Sequence, residues 1–185
     1  MSTTNKYKKH LMKASYMNQN DAQKYMAKYG YKYDPELSRN DTKVFLGPDG
    51  KPVVAHRGSR RVTDFIDDAL IMLNLPNHRT NNAKRTNERV KQKYGNYDAI
   101  GHSLGGNLAS KSDADKIITY NKLATPFDNL NKENETSYRT KNDLPSYISQ
   151  YSKNTVTIPD NHLLKTVLTA HDLKNFTENN NIKYM

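Results

Sequence analysis

The sequence predicts an α/β fold with a mostly parallel sheet flanked by helices, on three observations. Short β-rich runs alternate with segments of helical periodicity, the order from which parallel sheets are built. A Pro-Asp-Gly connection joins two of these runs into a hairpin. A third run leads without a break into Gly101-His102-Ser103-Leu104-Gly105-Gly106, a strand that turns directly into a helix.

The elements follow in chain order. Residues 1–19 are polar and basic, carrying Lys6, Lys8, Lys9 and Lys13, and read as a flexible segment ahead of a single domain over 20–176. In 20–29, Ala22, Tyr25, Met26 and Tyr29 recur at helical spacing, with Asp21 suited to the cap or first turn and Gly30 to the end. The stretches 42–46 and 52–56 are strands joined by Gly47-Pro48-Asp49-Gly50. An amphipathic helix is expected over 63–73, with Phe65, Ile66, Ala69, Leu70 and Leu73 on its buried face and Pro76 as its stop. A very polar helix follows over 80–94, closed by Gly95. Strands are expected at 97–100, 116–120 and 155–158, and a helix at 104–110. Residues 128–142 read as a polar loop, 163–176 as partly helical, and 177–185 as an Asn-rich tail.

Composition narrows the function. The 185 residues hold 29 Lys+Arg against 19 Asp+Glu, a formal charge of +10. That charge raises nucleic acid or an anionic membrane surface as partners. The basic residues are dispersed, however. The denser groups (Lys6 to Lys13; Arg57, Arg60 and Arg61; Lys84 to Lys93) lack any zinc-finger, aromatic RNP-type or helix-turn-helix signature, which disfavours nucleic acid. The absence of Cys removes disulfides, thiolate metal sites and a Cys nucleophile together, and no cofactor or metal is called for. No apolar run approaches the ~20 residues of a membrane span, and the first ten residues lack the apolar stretch of a secretory signal. A soluble protein, cytoplasmic or virion-associated, is the expectation. The oligomeric state is not legible.

The chemistry lies in Gly101-His102-Ser103-Leu104-Gly105, which matches the nucleophile elbow G-x-S-x-G. A tight strand-to-helix turn lifts a serine Oγ out of the sheet and sets backbone N–H groups beside a developing oxyanion; only small neighbours fit such a turn. The serine needs a base and an orienting acid. In α/β-hydrolases these follow the serine in the chain, so the candidate bases are His162 and His171. Asp143 and Asp128 are the carboxylates in suitable post-strand loops, whereas Asp113, Asp115 and Asp160 read as solvated turn residues. His102, as the elbow's neighbour, is expected to point away from Oγ.

With these residues in view, the chain resembles the class 3 (fungal-type) lipases of the α/β-hydrolases. Val53-Val-Ala-His-Arg-Gly-Ser59 is similar to that family's strand ending in Arg-Gly-Thr/Ser, and Asp64-Phe-Ile-Asp-Asp68 to its Asp-Trp-x-x-Asp segment. Gly101 to Gly106 matches its elbow without a mismatch. Leu123-Ala-Thr-Pro-Phe-Asp128 resembles its Gly-Ser/Thr-Pro-Arg segment without the Gly and the Arg. Tyr138-Arg-Thr-Lys-Asn-Asp-Leu-Pro145 resembles the segment bearing the triad acid, with Asp143 one residue closer to the Pro.

The resemblance implies a minimal α/β-hydrolase fold with Ser103 as nucleophile, Asp143 as triad acid and Asp128 in reserve. It also implies an oxyanion hole of the Leu104 and Ser59 N–H groups. Leu168, Leu173 and Phe176 flank His171 and favour it as base over His162, which lies in a more polar stretch. Arg57 and Asp64 are candidates for an ion pair. The stretch 76–82, where the family carries a lid, has almost no apolar residues, and the chain is short for the fold. The expected activity is hydrolysis of lipid or small carboxylic esters through an acyl-enzyme, by an esterase or phospholipase rather than a lid-gated lipase. A noncatalytic lipid- or protein-binding module and a basic nucleic-acid-binding protein are the competing readings. The Asn- and Lys-rich composition is similar to that of proteins from compact AT-rich genomes such as those of DNA viruses.

Overall fold

Alternation along the strands decides the architecture. Phe45, Val53, Ala55, Ile100 and Ile118 belong to one apolar cluster, and their neighbours Val44, Val54, Ala99 and Ile117 to another. Successive residues of a strand face opposite sides, so a sheet apolar on both faces must be covered on both. The computed structural model describes residues 2–59, 78–159 and 170–176. Within them a seven-stranded sheet runs in the order β1 (Lys32–Tyr33), β2 (Thr42–Leu46), β3 (Pro52–His56), β4 (Asp98–His102), β5 (Lys116–Tyr120), β6 (Glu135–Thr140) and β7 (Thr155–Ile158). The first three strands pair antiparallel, with Leu46 opposite Pro52 at the hairpin. From β3 onward every pair is parallel. This is an α/β-hydrolase-like fold.

One face is covered from the N-terminus. Residues 3–15, expected as a flexible basic segment, form two helices instead, α1 (Thr3–Lys6) and α2 (Lys8–Ser15), followed by α3 (Gln19–Ala27). Asn18 caps α3 by accepting the Asp21 N–H at 2.9 Å, which puts Asp21 in the first turn. Leu11, Met12 and Ala14 of α2, with Ala22 and Met26 of α3, are fully buried in the first cluster. Burying a Leu or Met side chain contributes about 1.5–3 kcal/mol, and the α2 lysines stay outside the core, so the basic composition does not oppose the helix.

The second face carries α4 (His78–Tyr94) and α5 (Leu104–Ser110). The polar helix α4 buries only the stripe Ala83, Thr86, Asn87 and Val90, spaced by three and four residues. Gly95 ends it at a positive φ of 76°. Residues 135–140, read as loop, form strand β6 between β5 and the edge strand β7. Its inward side chains are polar but partnered: Glu135 binds Lys122, Ser110 and Thr119, and Ser137 also meets Thr119. The helix expected over 63–73, its Asp64, His162 and the tail 177–185 lie outside the described residues. No helix among the described residues is long and apolar enough to cross a membrane.

Candidate active site

The end of β4 turns into α5 through Ser103, at φ 60° and ψ −128°. A residue that carries a Cβ is strained at positive φ, a feature held in place only where the surroundings enforce it. Here they do. A Cβ on Gly101 would sit 2.1 Å from the Gly105 carbonyl oxygen, and one on Gly105 would sit 2.2 Å from the His56 carbonyl oxygen. Strand, elbow helix and the end of β3 therefore meet at backbone distance, which glycine alone permits. The Ser103 N–H donates to the Tyr120 carbonyl at 3.0 Å, and its own carbonyl accepts from the Gly106 N–H at 2.9 Å. Ser103 is 2 % exposed, and its Oγ has no hydrogen-bond partner among the described residues. A buried unpaired hydroxyl costs about 1–3 kcal/mol, so strain and desolvation coincide at one residue.

Asp143 and His171 are brought together. The His171 Nδ1–H donates to Asp143 Oδ1 at 2.8 Å, and both side chains are essentially fully buried. A carboxylate accepts only, so the proton lies on Nδ1 and the ring's basic lone pair on Nε2. Asp143 Oδ2 accepts the Ser146 N–H at 2.9 Å, which fixes the carboxylate in the turn after β6. Asp128 is engaged elsewhere. It accepts from the Thr125 N–H at 2.7 Å and from Asn107 Nδ2 at 2.9 Å, closing its own loop against α5.

Two further contacts anchor the segment that bears His171. Asn121, at φ 44° just past β5, donates from Nδ2 to the Ala170 carbonyl at 3.1 Å and accepts the Thr140 N–H at 2.8 Å. His102 Nε2 lies 2.8 Å from the His171 carbonyl oxygen. That oxygen can only accept, so Nε2 carries the proton and Nδ1 accepts from the Tyr16 hydroxyl at 2.8 Å. The Tyr16 oxygen in turn accepts the Gly58 N–H at 3.1 Å. A directional chain thus runs from Gly58 through Tyr16 and His102 to His171. Burial pushes His102 down to about 3, and the neighbouring His171 imidazole lowers it further, so it stays neutral as the chain requires. Burial likewise raises the Tyr16 hydroxyl to about 12, against the Gly58 N–H and the positive charges of Arg79 and Arg57.

Ser59 continues the segment that packs on the elbow. A Cβ on Gly58 would meet the His102 carbonyl oxygen at 2.7 Å and Ser103 Cβ at 3.1 Å, so that segment lies against the elbow. Arg79 of α4 holds it by donating to the Arg57 and Gly58 carbonyls. Ser59, His102, His171 and Tyr16 line a cleft of about 590 Å³. Leu104, the other expected oxyanion donor, is the first residue of α5. Among the described residues, no group of three His, Asp or Glu side chains converges as metal ligands would.

Sequence reasoning missed Tyr16, Asn121 and Arg79. Asn121 alone had a local signal, an Asn following a strand where a left-handed turn is wanted.

Comparison with the curated proteins gives no match. A family model described as Phospholipase-like, Tle-like phospholipase domain, matches residues 7–157. The match takes in α2, the segment to Ser59, the elbow and Asp143, and stops short of His171. Most of the chain is covered, and the chain belongs to the Tle-like phospholipase domain family.

Proposed function

We propose that this protein is a serine hydrolase that cleaves carboxylic esters of lipids through an acyl-enzyme. The observation that carries the proposal is Ser103, strained and without a hydrogen-bond partner on a strand-to-helix elbow. The buried His171–Asp143 pair, with the His171 carbonyl held by His102, the residue before the serine, supports the same reading. So does membership of a phospholipase-like family, and so does the likeness of the elbow to that of class 3 lipases.

In the proposed reaction, Ser103 Oγ attacks the ester carbonyl carbon while His171 Nε2 takes its proton. Asp143 holds the imidazole in the required tautomer and stabilises the imidazolium that forms. The Leu104 and Ser59 N–H groups receive the oxyanion, each such donor being worth about 3–4 kcal/mol in the transition state. Collapse breaks the ester C–O bond, and the imidazolium proton goes to the departing alcohol. Water, deprotonated by His171, then attacks the acyl carbonyl; the acid leaves and Ser103 recovers its proton.

A fluorophosphonate probe and an ester panel test this. The wild type should be labelled and should hydrolyse esters, and Ser103→Ala should lose labelling and about 10⁴-fold or more in kcat. Labelling that survives Ser103→Ala contradicts the assignment, and a folded wild type that neither reacts nor turns over favours the noncatalytic module.

A further inference from the structure

The cleft that holds Ser59 and His171 is walled by more positive charge than ester hydrolysis requires. Lys9 and Lys13 lie four residues apart on α2, with Tyr16 three further on, so one helical stripe faces the cleft. The opposite face of α2, through Leu11, Met12, Ala14 and Ser15, is buried. Lys174 joins the lining from the segment that bears His171. Among the described residues the cleft is thus lined by three lysines against one carboxylate, that of Asp172, which lies 3.5 Å from Lys174 Nζ. Asp143 does not offset them, because it is buried and turned to His171 and the Ser146 N–H. Arg57 and Arg79 add positive potential at the Tyr16 end. A lysine stripe on a solvated helix face is ordinary. This one shares a cavity with the candidate base.

Different lipid esters would fare differently here. A neutral glyceride gains nothing from the ammonium groups. A zwitterionic phospholipid brings a phosphate together with a cation of its own, which would meet like charges. A phosphodiester esterified to an uncharged alcohol brings net negative charge and several acceptor oxygens, the chemistry that lysines bind as point charges. We infer that Lys9, Lys13 and Lys174 form a headgroup subsite that selects glycerophospholipids with a net negative headgroup. Helix α2 is then a specificity element of the site as well as a cover for the sheet. The inference rests on the hydrolase reading for its biological use, and its test does not depend on turnover.

The test is calorimetric titration of full-length Ser103→Ala with short-chain phospholipids below their micelle threshold. The ligands are dihexanoyl phosphatidylglycerol, dihexanoyl phosphatidylcholine and, as the free-anion arm, inorganic phosphate. The phosphatidylglycerol should bind about tenfold tighter than the phosphatidylcholine and than phosphate. Adding Lys9→Gln and Lys13→Gln should bring the two lipids to near equality, and Lys13→Gln alone, at an exposed position, should give part of the effect with an unchanged melting temperature. Equal binding of the two lipids by Ser103→Ala overturns the inference. A preference that survives both lysine substitutions also overturns it, as does phosphate binding as tightly as the lipid. If the headgroup preference holds while the wild type shows neither probe labelling nor turnover, the subsite stands and the hydrolase reading fails.

Discussion

The Tyr16 hydroxyl donates to His102 Nδ1 at 2.8 Å across 86 residues of sequence, joining the N-terminal helices to the elbow. Through it the backbone at Gly58, beside the expected oxyanion donor Ser59, is linked to the backbone at His171. Tyr16→Phe leaves His102 Nδ1 and the Gly58 N–H without that partner. The expected cost is about 1–3 kcal/mol, and each kcal/mol moves the melting temperature of a chain this size by about 2–4 °C. The hydroxyl would position catalytic groups without touching substrate. Steady-state kinetics should therefore show kcat falling about tenfold with KM little changed, whereas a purely structural role would move the melting temperature alone.

The glycines of the elbow differ in what they tolerate. At Gly101 and Gly105 an added Cβ meets backbone at 2.1 and 2.2 Å, but at Gly106 the first contact is Lys122 Cβ at 3.2 Å. Backbone cannot step aside, and at Gly106 the nearest backbone atoms stand 3.3 Å off, a gap that a shift of a few tenths of an ångström relieves. Gly101→Ala and Gly105→Ala should each cost more than about 3 kcal/mol or abolish folding, the range in which overpacking of a core becomes exceptional. Gly106→Ala should cost about 1 kcal/mol and remain soluble. Urea unfolding of the three variants checks the order.

Acid should destabilise the fold through two histidines. Burial holds His102 down to about 3 and His56 down to about 4, against 6.5 in the unfolded chain. Below about pH 6.5 the unfolded state binds protons that the folded state refuses, so stability falls as pH drops from there towards the folded values. It is fully present only above 6.5. The urea midpoint should decline between pH 6.5 and 4, and His56→Gln should flatten that slope. A midpoint independent of pH over this range contradicts both assignments.

Much of the sheet was legible because its signals are local. Val53, Val54 and Ala55 form an uninterrupted apolar run, as a strand buried on both faces must, and Gly47-Pro48-Asp49-Gly50 announces its own turn. The elbow was legible for the same reason, since its tight geometry restricts residue types within a few positions. Strand β6 was not. Its buried positions are Glu135, Ser137, Arg139 and Thr140, made compatible with the interior by partners as distant in sequence as Lys122 and Thr119. The N-terminal helices were masked by their lysines, although Leu11, Met12 and Ala14 already had helical spacing. The pairing of His171 with Asp143 rather than Asp128 depends on where two loops end in space, so residue spacing left both carboxylates open, and only the resemblance of 138–145 to the acid-bearing lipase segment favoured Asp143.

A buried ion pair, Lys122–Glu135, lies beneath the elbow helix. Lys122 Nζ lies 2.5 Å from Glu135 Oε1, both side chains are buried, and Ser110 at the end of α5 donates to Glu135 Oε2 at 2.6 Å while accepting from Lys122 at 3.3 Å. These contacts fasten the far end of the elbow helix to β5 and β6. Removing one charge strands the other in the interior, a loss of about 3–5 kcal/mol, whereas replacing both by apolar groups of similar volume is often close to neutral. Glu135→Gln should therefore lower the denaturation midpoint sharply. Lys122→Met combined with Glu135→Leu should recover most of the loss, and a double-mutant cycle of unfolding free energies measures the coupling directly. The elbow's helix would still be packed but no longer tied at Ser110. Activity in the double variant should accordingly remain below wild type at equal stability, which separates the pair's part in folding from its part in holding Ser103.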